Sequence, residues 1–278
     1  MIVEPPVLTV FSLPRAFAGH SAVIQRNAIA SWLRLPNVEV ILLGEEEGLA
    51  DTARTLGARH ELKIGRNRHG TPMVSDAFAR IRGLARSPYL AFVNADIILT
   101  RDFTRALEVL FHAPFQNWLA VGQRYDLDQH EPIGDAPDWE SALRRDVAVR
   151  GILHGKAGLD YFLFPKDLPI VLPPLAVGRP GWDSWLMYAV RHAGFPLVDL
   201  TAAVTAIHQN HPPAYTSNGP EAIENRRAAG GTYRMGTLRD ADWRLSRVPD
   251  GRLVLKRRLM GTLWFAAPVR AGLALKRY

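Results

Sequence analysis

The sequence contains no cysteine, so disulfide bonds and thiolate metal ligands are both excluded. It has no run of 18 apolar residues, and we therefore expect no transmembrane helix. The first residues form neither a basic segment nor an apolar one, and no signal peptide is predicted. Together these absences favour a cytoplasmic protein.

Acidic residues are missing from the end of the chain. After Asp250 there are seven basic residues and no acidic one, so the other 27 of the 34 basic residues face all 27 acids. The net charge of +7 therefore belongs entirely to the end of the chain. A sequence pI near 10.0 would otherwise suggest a nucleic-acid partner. The distribution argues against one and predicts a basic C-terminal extension, which we assign to residues 246–278.

Basic and apolar side chains alternate within this extension. A basic cluster at 256–258 is followed by Trp264 and Phe265, and further basic residues come after Pro268. Such a segment resembles an interfacial membrane helix, and it predicts peripheral contact with an anionic cytoplasmic membrane face. The alternative is a C-terminal helix that docks on the domain by its apolar face.

What is present is typical of a globular protein, with 47% hydrophobic and 22% charged residues. In the first hundred residues, predicted strands alternate with predicted helices. This order predicts an α/β fold with a doubly wound, mostly parallel sheet and helices on both faces. The predicted strands are 7–11, 38–43, 60–64, 88–98, 118–122, 161–164 and 204–207. The predicted helices are 21–35, 49–56, one beginning at Thr71 and Pro72, 138–150, and one beginning near Trp182.

The most informative tract is 88–98, an apolar run interrupted by Asn94 and Asp96. In open α/β sheets, ligands bind at the carboxyl ends of strands. A carboxylate beside a second oxygen donor suits a hard divalent cation that carries phosphate oxygens. The alternative is that the two residues only end a strand, since both favour turns.

Four segments together resemble a known group: 94–97, 158–162, 178–186 and 203–211. They are similar to a poorly characterised group of family-two-like glycosyltransferases with the GT-A fold, found in bacteria and plants. The likeness covers most of positions 7–245, and we assign residues 1–245 to a GT-A-like nucleotide-sugar glycosyltransferase domain. It implies that a hexosyl or related unit passes from a nucleotide-sugar to the hydroxyl of a glycan or lipid-linked acceptor, with inversion. It also implies Mn²⁺ or Mg²⁺ as cofactor and a role in glycan biosynthesis.

The resemblance also assigns residues on the donor side. Asp96 matches the carboxylate that binds the metal and diphosphate, and His208 matches a histidine that completes the metal site in several such enzymes. Asn94 stands where the family has its first Asp, which removes one negative charge and leaves the metal requirement open. We place Asn94, Pro14 and Arg66 with Asp96 at the donor.

On the acceptor side, Asp183 resembles the carboxylate that deprotonates the acceptor hydroxyl. Its alternative role is that of a helix N-cap or first-turn acid. Asp160, Arg179 and Trp182 are assigned to the acceptor or diphosphate region. His208 has a structural alternative as well, as a histidine that is hydrogen-bonded to a loop.

Two other functions fit parts of the pattern. A nucleotidyltransferase uses a similar sheet and metal site, but it would carry a glycine-rich loop after the first strand, where residues 12–15 contain no glycine. A catalytically inactive, membrane-associated scaffold is the other alternative, and Asn94 keeps it open.

Overall fold

The computed structural model of the protein describes residues 5–156, 159–212, 219–231 and 234–258. The elements in chain order are β1 (Leu8–Ser12), α1 (Gly19–Leu33), β2 (Val38–Leu43), α2 (Leu49–Leu56), β3 (Arg59–Glu61), α3 (Val74–Leu84), β4 (Tyr89–Val93), β5 (Ile97–Ile98), α4 (Asp102–Phe111), β6 (Leu119–Val121), β7 (Tyr125–Leu127), α5 (Trp139–Arg150), β8 (Ile152–Leu153), β9 (Tyr161–Pro165), α6 (Trp182–His192), β10 (Leu197–Ala202), β11 (Ile207–Gln209), α7 (Pro220–Ala228), β12 (Trp243–Arg247) and β13 (Leu253–Arg257).

Within the described residues, the main sheet has nine strands in the order β13-β12-β10-β6-β9-β4-β1-β2-β3. Seven of them run in the same direction, since β9 is antiparallel to both β4 and β6, and the edge strand β13 is antiparallel to β12. The sequence of β4 explains its central place, because an almost continuous apolar run suits a strand that is covered on both faces. The predicted α/β fold class is confirmed.

Two hydrophobic cores lie on opposite faces of this sheet. Successive residues of β4 alternate between them: Ala91 and Val93 belong to one core, Leu90 and Phe92 to the other. Helices α1, α2 and α4 cover the first face, and α3 and α6 cover the second. The strands are therefore held firmly, and the side chains at their ends have fixed positions.

A second, four-stranded sheet has the order β5-β11-β7-β8. Strands β11 and β5 are antiparallel, and His208 is paired with Ile97. Because Asp96 directly precedes β5, this short pairing brings residues that are more than a hundred positions apart in sequence to one place.

Several predicted spans are wrong. The strand expected at 60–64 ends at Glu61, and the tract 88–98 forms two strands, β4 and β5, that belong to different sheets. Helix α3 begins at Val74, whereas Thr71 and Pro72 remain in a loop, where the Pro72 carbonyl accepts a hydrogen bond from the backbone of Val177. The expected strand at 204–207 is a loop up to residue 206, which follows a turn at Ala203, and strand β11 begins only at Ile207. The backbone N–H groups of Ala203 and Val204 both donate to the Leu200 carbonyl, and the flanking strands β10 and β11 belong to different sheets.

The expected boundary after residue 245 falls within β12. Strand β13, which contains Lys256, pairs with β12, so residues 246–257 form part of the main sheet. Residues 259–278, which carry Trp264 and Phe265, lie outside the described residues, and membrane contact by the tail stays a prediction. In the part of the chain that the structure describes, no helix combines the length and apolarity needed to cross a bilayer.

Candidate active site

A cavity of about 650 Å³ opens at the carboxyl ends of the parallel strands β1 and β4. Asp160 reaches the same edge from β9, because that strand is antiparallel and Asp160 immediately precedes it. Eight of the nine predicted site residues line the cavity: Pro14, Asn94, Asp96, Asp160, Arg179, Trp182, Asp183 and His208. One edge of the sheet thus gathers residues from five separate segments of the chain, as ligand sites in open α/β sheets require.

Arg66 is the predicted site residue that does not line this cavity. Its guanidinium forms ion pairs with Glu45 at 3.1 Å and Glu46 at 2.8 Å, and it donates to the Gly70 carbonyl. Of these partners Glu46 lines the cavity. Arg66 therefore orients a carboxylate of the site and does not line the cavity itself, and its assignment to the donor stays a prediction.

Asp96 lies at the centre of a cluster with His208 and His211. Its Oδ2 is 3.0 Å from Nε2 of His211 and 3.8 Å from Nε2 of His208. Burial raises the pKa of Asp96, but the hydrogen bond from His211 and the positive charges of His208, His211 and Arg15 outweigh it and lower that pKa. The carboxylate therefore stays ionised inside the cavity.

The ligand atoms of this cluster fit a divalent cation. One carboxylate oxygen and one nitrogen from each imidazole lie within 4.8 Å of one another. Oδ1 of Asp96 is buried and has no hydrogen-bond partner among the described residues. A buried carboxylate oxygen without a donor is costly unless a cation lies beside it.

The surroundings of His211 support the same interpretation. Its Nδ1 lies 2.8 Å from the Pro212 carbonyl, which can only accept, so Nδ1 carries a proton. Nε2 then faces Asp96 either as a lone pair or as a second N–H. The contact with Asp96 raises the pKa of His211. The position between Nε2 and the carboxylate therefore suits a cation, which is either a proton or a metal ion.

Asn94 is engaged by Asp160. Its Nδ2 donates to Oδ1 of Asp160 at 2.7 Å, and its backbone N–H donates to the Asp160 carbonyl at 2.8 Å. Arg124 donates to the other carboxylate oxygen. Burial raises the pKa of Asp160, the charge of Arg124 opposes this, and the charge of Asp96 adds to it. The amide at position 94 thus satisfies a buried carboxylate where a second Asp would repel it.

Asp183 occupies the first turn of α6, which begins after Gly181 in the left-handed conformation (φ 106°). Burial raises the pKa of Asp183, and the negative charge of Asp160 raises it further. The backbone N–H of Ser184 lies close enough to its carboxylate to lower the pKa of Asp183, but it offsets only part of this rise. The residue is therefore both a first-turn acid and a carboxylate in the cavity wall. A raised pKa makes it a stronger base.

Trp182 and Arg179 are held by neighbouring groups. Trp182 is 5% exposed and packs against Phe92 and Phe162, with ring centroids 5.0 and 4.7 Å away, so it fixes the start of α6. Nε of Arg179 donates to Glu221 of α7 at 2.6 Å. Both residues line the cavity, and each also fastens a wall of it.

Arg15 is a cavity residue that the sequence did not single out. Its Nη2 lies 2.9 Å from Nε2 of His211, and no carboxylate of a described residue lies within 4 Å of the guanidinium. Gln25 holds its backbone by two hydrogen bonds, of 2.8 and 2.9 Å. A fixed cation without an ion pair is suited to an anionic ligand.

His211 and Arg124 were also missed as site residues. The spacing of His208 and His211 contained the signal for His211, but the nearer position to the strand end favoured His208. The structure places both imidazoles beside Asp96, with His211 the closer. Nothing in the sequence around Arg124 indicates its bond to Asp160. Arg124 directly precedes β7 and Asp160 directly precedes β9, so the two residues lie in separate segments of the chain.

Comparisons with protein-family models and with curated proteins give no match. Solved structures do match. Glucosyl-3-phosphoglycerate synthase of M. tuberculosis is 15% identical, with 81% of each chain covered and a TM-score of 0.50. GalNAc-T7, whose structure contains UDP, GalNAc and Mn²⁺, is 12% identical with a TM-score of 0.51. The match covers 81% of this chain and 48% of that one, so the present chain spans about half the length of GalNAc-T7. These matches show that the chain has the GT-A glycosyltransferase fold.

Proposed function

We propose that the protein is a metal-assisted glycosyltransferase that moves a sugar from a nucleotide-sugar donor to an acceptor hydroxyl. The observation that carries this proposal is the cluster of Asp96, His208 and His211 in the same cavity as Asp183. The fold supports it, and a structure with this fold contains UDP, GalNAc and Mn²⁺. The loop after β1 contributes Pro14 and Arg15 and no glycine, which argues against a nucleotidyltransferase.

The cluster would hold the cation and the donor diphosphate. A carboxylate with two imidazoles is a softer ligand set than the all-oxygen sites that suit Mg²⁺, so we infer a preference for Mn²⁺. The ion, when bound, would neutralise the charge that develops on the leaving diphosphate. Arg15 lies beside His211 and supplies a second positive charge at the same place.

Asp183 would act as the general base. The acceptor oxygen forms a bond to the anomeric carbon of the sugar while the bond from that carbon to the diphosphate breaks. The acceptor proton passes to the Asp183 carboxylate, and the nucleoside diphosphate leaves. Direct displacement of this kind inverts the anomeric centre. The raised pKa of Asp183 fits this role, because a stronger base takes the proton more readily.

The proposal is tested by nucleotide binding and turnover in the wild type and in Asp96→Ala. Nucleoside diphosphates of different bases are titrated by calorimetry with and without Mn²⁺, and the matching nucleotide-sugars are assayed for sugar transfer or slow hydrolysis. We expect Mn²⁺-dependent binding in the wild type. Asp96→Ala should lose that dependence and about 100-fold or more in turnover, because the diphosphate loses its counter-ion.

The matched control is Asp199→Asn. Asp199 is also a buried aspartate, but it pairs with Arg244 at 3.2 Å and does not line the cavity. This variant should bind nucleotide as the wild type does, even where its stability is lower. Unchanged turnover in Asp96→Ala would contradict the proposed function.

A further inference from the structure

Gln209, in the middle of the segment His208–His211, is fully buried. Neighbouring residues of a strand point to opposite faces, so its side chain lies on the other side of β11 from that of His208. Its Nε2 donates to the Ile24 carbonyl at 2.8 Å and to the Asp96 carbonyl at 3.1 Å. Its Oε1 accepts from Nδ2 of Asn27 at 2.9 Å. The amide therefore has partners for both N–H groups and for its oxygen.

The orientation of this amide follows from its partners. The carbonyls of Ile24 and Asp96 can only accept, so the Gln209 nitrogen must face them. Asn27 is fixed in the same way, since its Oδ1 accepts from the backbone of Ile133 and its Nδ2 also donates to the Glu131 carbonyl, both at 2.9 Å. The network has a single consistent arrangement.

The ladder that joins the histidines to the aspartate is very short. Strands β11 and β5 share two residue pairs, Ile207 with Ile98 and His208 with Ile97. Beyond them, the Asp96 carbonyl accepts one hydrogen bond from the Gln209 backbone at 3.2 Å and a second from its side chain. Gln209 thus continues the pairing up to Asp96 itself and ties the joined segments to α1.

We propose that Gln209 is a positioning residue of the metal site. Its amide sets the separation between the Asp96 carboxylate and the two imidazoles, and it explains why a buried amide stands between the two histidines. The inference rests on the proposed function in one respect, which is that this cluster binds a cation. Residues that orient metal ligands from behind typically contribute about 10- to 100-fold to metal affinity.

The decisive variant is Gln209→Met, which keeps the length of the side chain and removes all three of its hydrogen bonds. The Asp96 carbonyl keeps its bond from the Gln209 backbone, and Asn27 keeps its bond to Glu131. We expect the dissociation constant for Mn²⁺ to rise about tenfold or more. It is measured from the free-ion signal in electron paramagnetic resonance, with the metal alone and no nucleotide.

Thr9→Val is the control for a general loss of stability. Thr9 is buried and hydrogen-bonded to Glu39 and Ser87, but at the opposite end of the strands. Its Mn²⁺ affinity should equal that of the wild type. Asn27→Asp is a second variant for the case that Gln209→Met does not fold. It keeps the acceptor for Ile133, loses the donors to Gln209 and to the Glu131 carbonyl, and should also weaken Mn²⁺ binding.

The outcomes separate the two proposals. Wild-type Mn²⁺ affinity in folded Gln209→Met, or in Asn27→Asp where Gln209→Met does not fold, would overturn the positioning role and leave the glycosyltransferase proposal intact. Equal Mn²⁺ binding by the wild type and Asp96→Ala would instead remove the metal centre, and the positioning role with it. Weakened binding in the Gln209 and Asn27 variants, with wild-type binding in Thr9→Val, would support the inference.

Discussion

Buried acidic side chains lie at both ends of the parallel strands β1 to β4, but their hydrogen bonding differs between the two ends. At the amino end, the Glu39 side chain is 4% exposed and bonded to Thr9, Arg59 and Arg86. At the carboxyl end, the Asp96 side chain is 17% exposed, and one of its oxygens has no partner among the described residues. The protein itself supplies hydrogen-bond donors to both oxygens of Glu39, whereas one oxygen of Asp96 is available to a ligand.

The pKa of Asp96 is lowered like that of Glu39, but two other carboxylates at the carboxyl end have pKa shifts of the opposite sign. Burial raises the pKa of Glu39, but the two arginines and Thr9 more than offset it and lower the pKa. At the other end, burial prevails and the pKa values of Asp160 and Asp183 are raised. Buried carboxylates with raised pKa values are typical of functional sites.

The largest expected effect at the carboxyl end is that of Asp183→Asn. Asn keeps a polar group in the first turn of α6 but cannot take a proton, so turnover should fall by about 10²- to 10⁴-fold while donor binding is kept. In the wild type, turnover should decline as the pH falls through the raised pKa of Asp183, and this limb should be absent from the residual activity of the variant. Steady-state kinetics across pH measures both.

Normal turnover in Asp183→Asn would show that Asp183 only begins a helix. Asp160 would then be the next candidate for the base, since its pKa is also raised. The base would then be another carboxylate at the same carboxyl end, and the contrast between the two ends of the strands would still hold.

A smaller effect is expected from Asn94→Asp, which places a carboxylate where the glycosyltransferases that the sequence resembles have their first Asp. The new carboxylate would lie 2.7 Å from Asp160, where the amide now donates a hydrogen bond. Like charges at this distance destabilise each other, and turnover should fall about tenfold. The Mn²⁺ dissociation constant and the turnover are measured beside those of Asn94→Ala, which loses the bond without adding a charge.

Tighter Mn²⁺ binding and faster turnover in Asn94→Asp would contradict this expectation. They would show that the side chain at position 94 faces the cation and not Asp160. The wild-type site would then lack one carboxylate ligand for the cation.

The sequence predicts the fold well where apolar periodicity is strong. Strands β1 and β2 and the helices α1 and α2 follow directly from it, within two residues at each boundary, whereas the strand expected at 88–98 ends at Val93 as β4. Strands β5 and β8 have two residues each, which is too short for any period to show. Strand β10 was missed because Asp199 interrupts its apolar run, and only the folded chain shows that Arg244 pairs with it.

The site was predictable where a motif stands at the end of a strong strand, as Asn94 and Asp96 do. Residues whose role depends on distant pairing were not predictable in this way. His211 reaches Asp96 through the pairing of β11 with β5, 115 positions away along the chain. The loop at Arg66 was assigned to the donor because it is basic and glycine-rich, and its pairing with Glu45 and Glu46, 21 and 20 positions earlier, does not show in the sequence.

The smallest effect on function is expected at the amino end, from Glu39→Gln. Nucleotide and Mn²⁺ binding should not change, because Glu39 lies at the start of β2, away from the cavity. The free energy of unfolding at pH 7 should fall by about 1–3 kcal/mol, since a buried carboxylate loses charge-assisted bonds to Arg59 and Arg86. The folded-state pKa of Glu39 is lowered, so its contribution is complete above the unfolded value of about 4.3 and is lost as the pH falls through the folded value. Urea unfolding of both proteins at pH 7 and near pH 3 measures this, and the difference between their free energies of unfolding should shrink in acid.

A difference of equal size at both pH values would show that the charge of Glu39 does not stabilise the fold. Weaker nucleotide binding at unchanged stability would break the division between the two ends, because a residue of the structural end would then be serving the site.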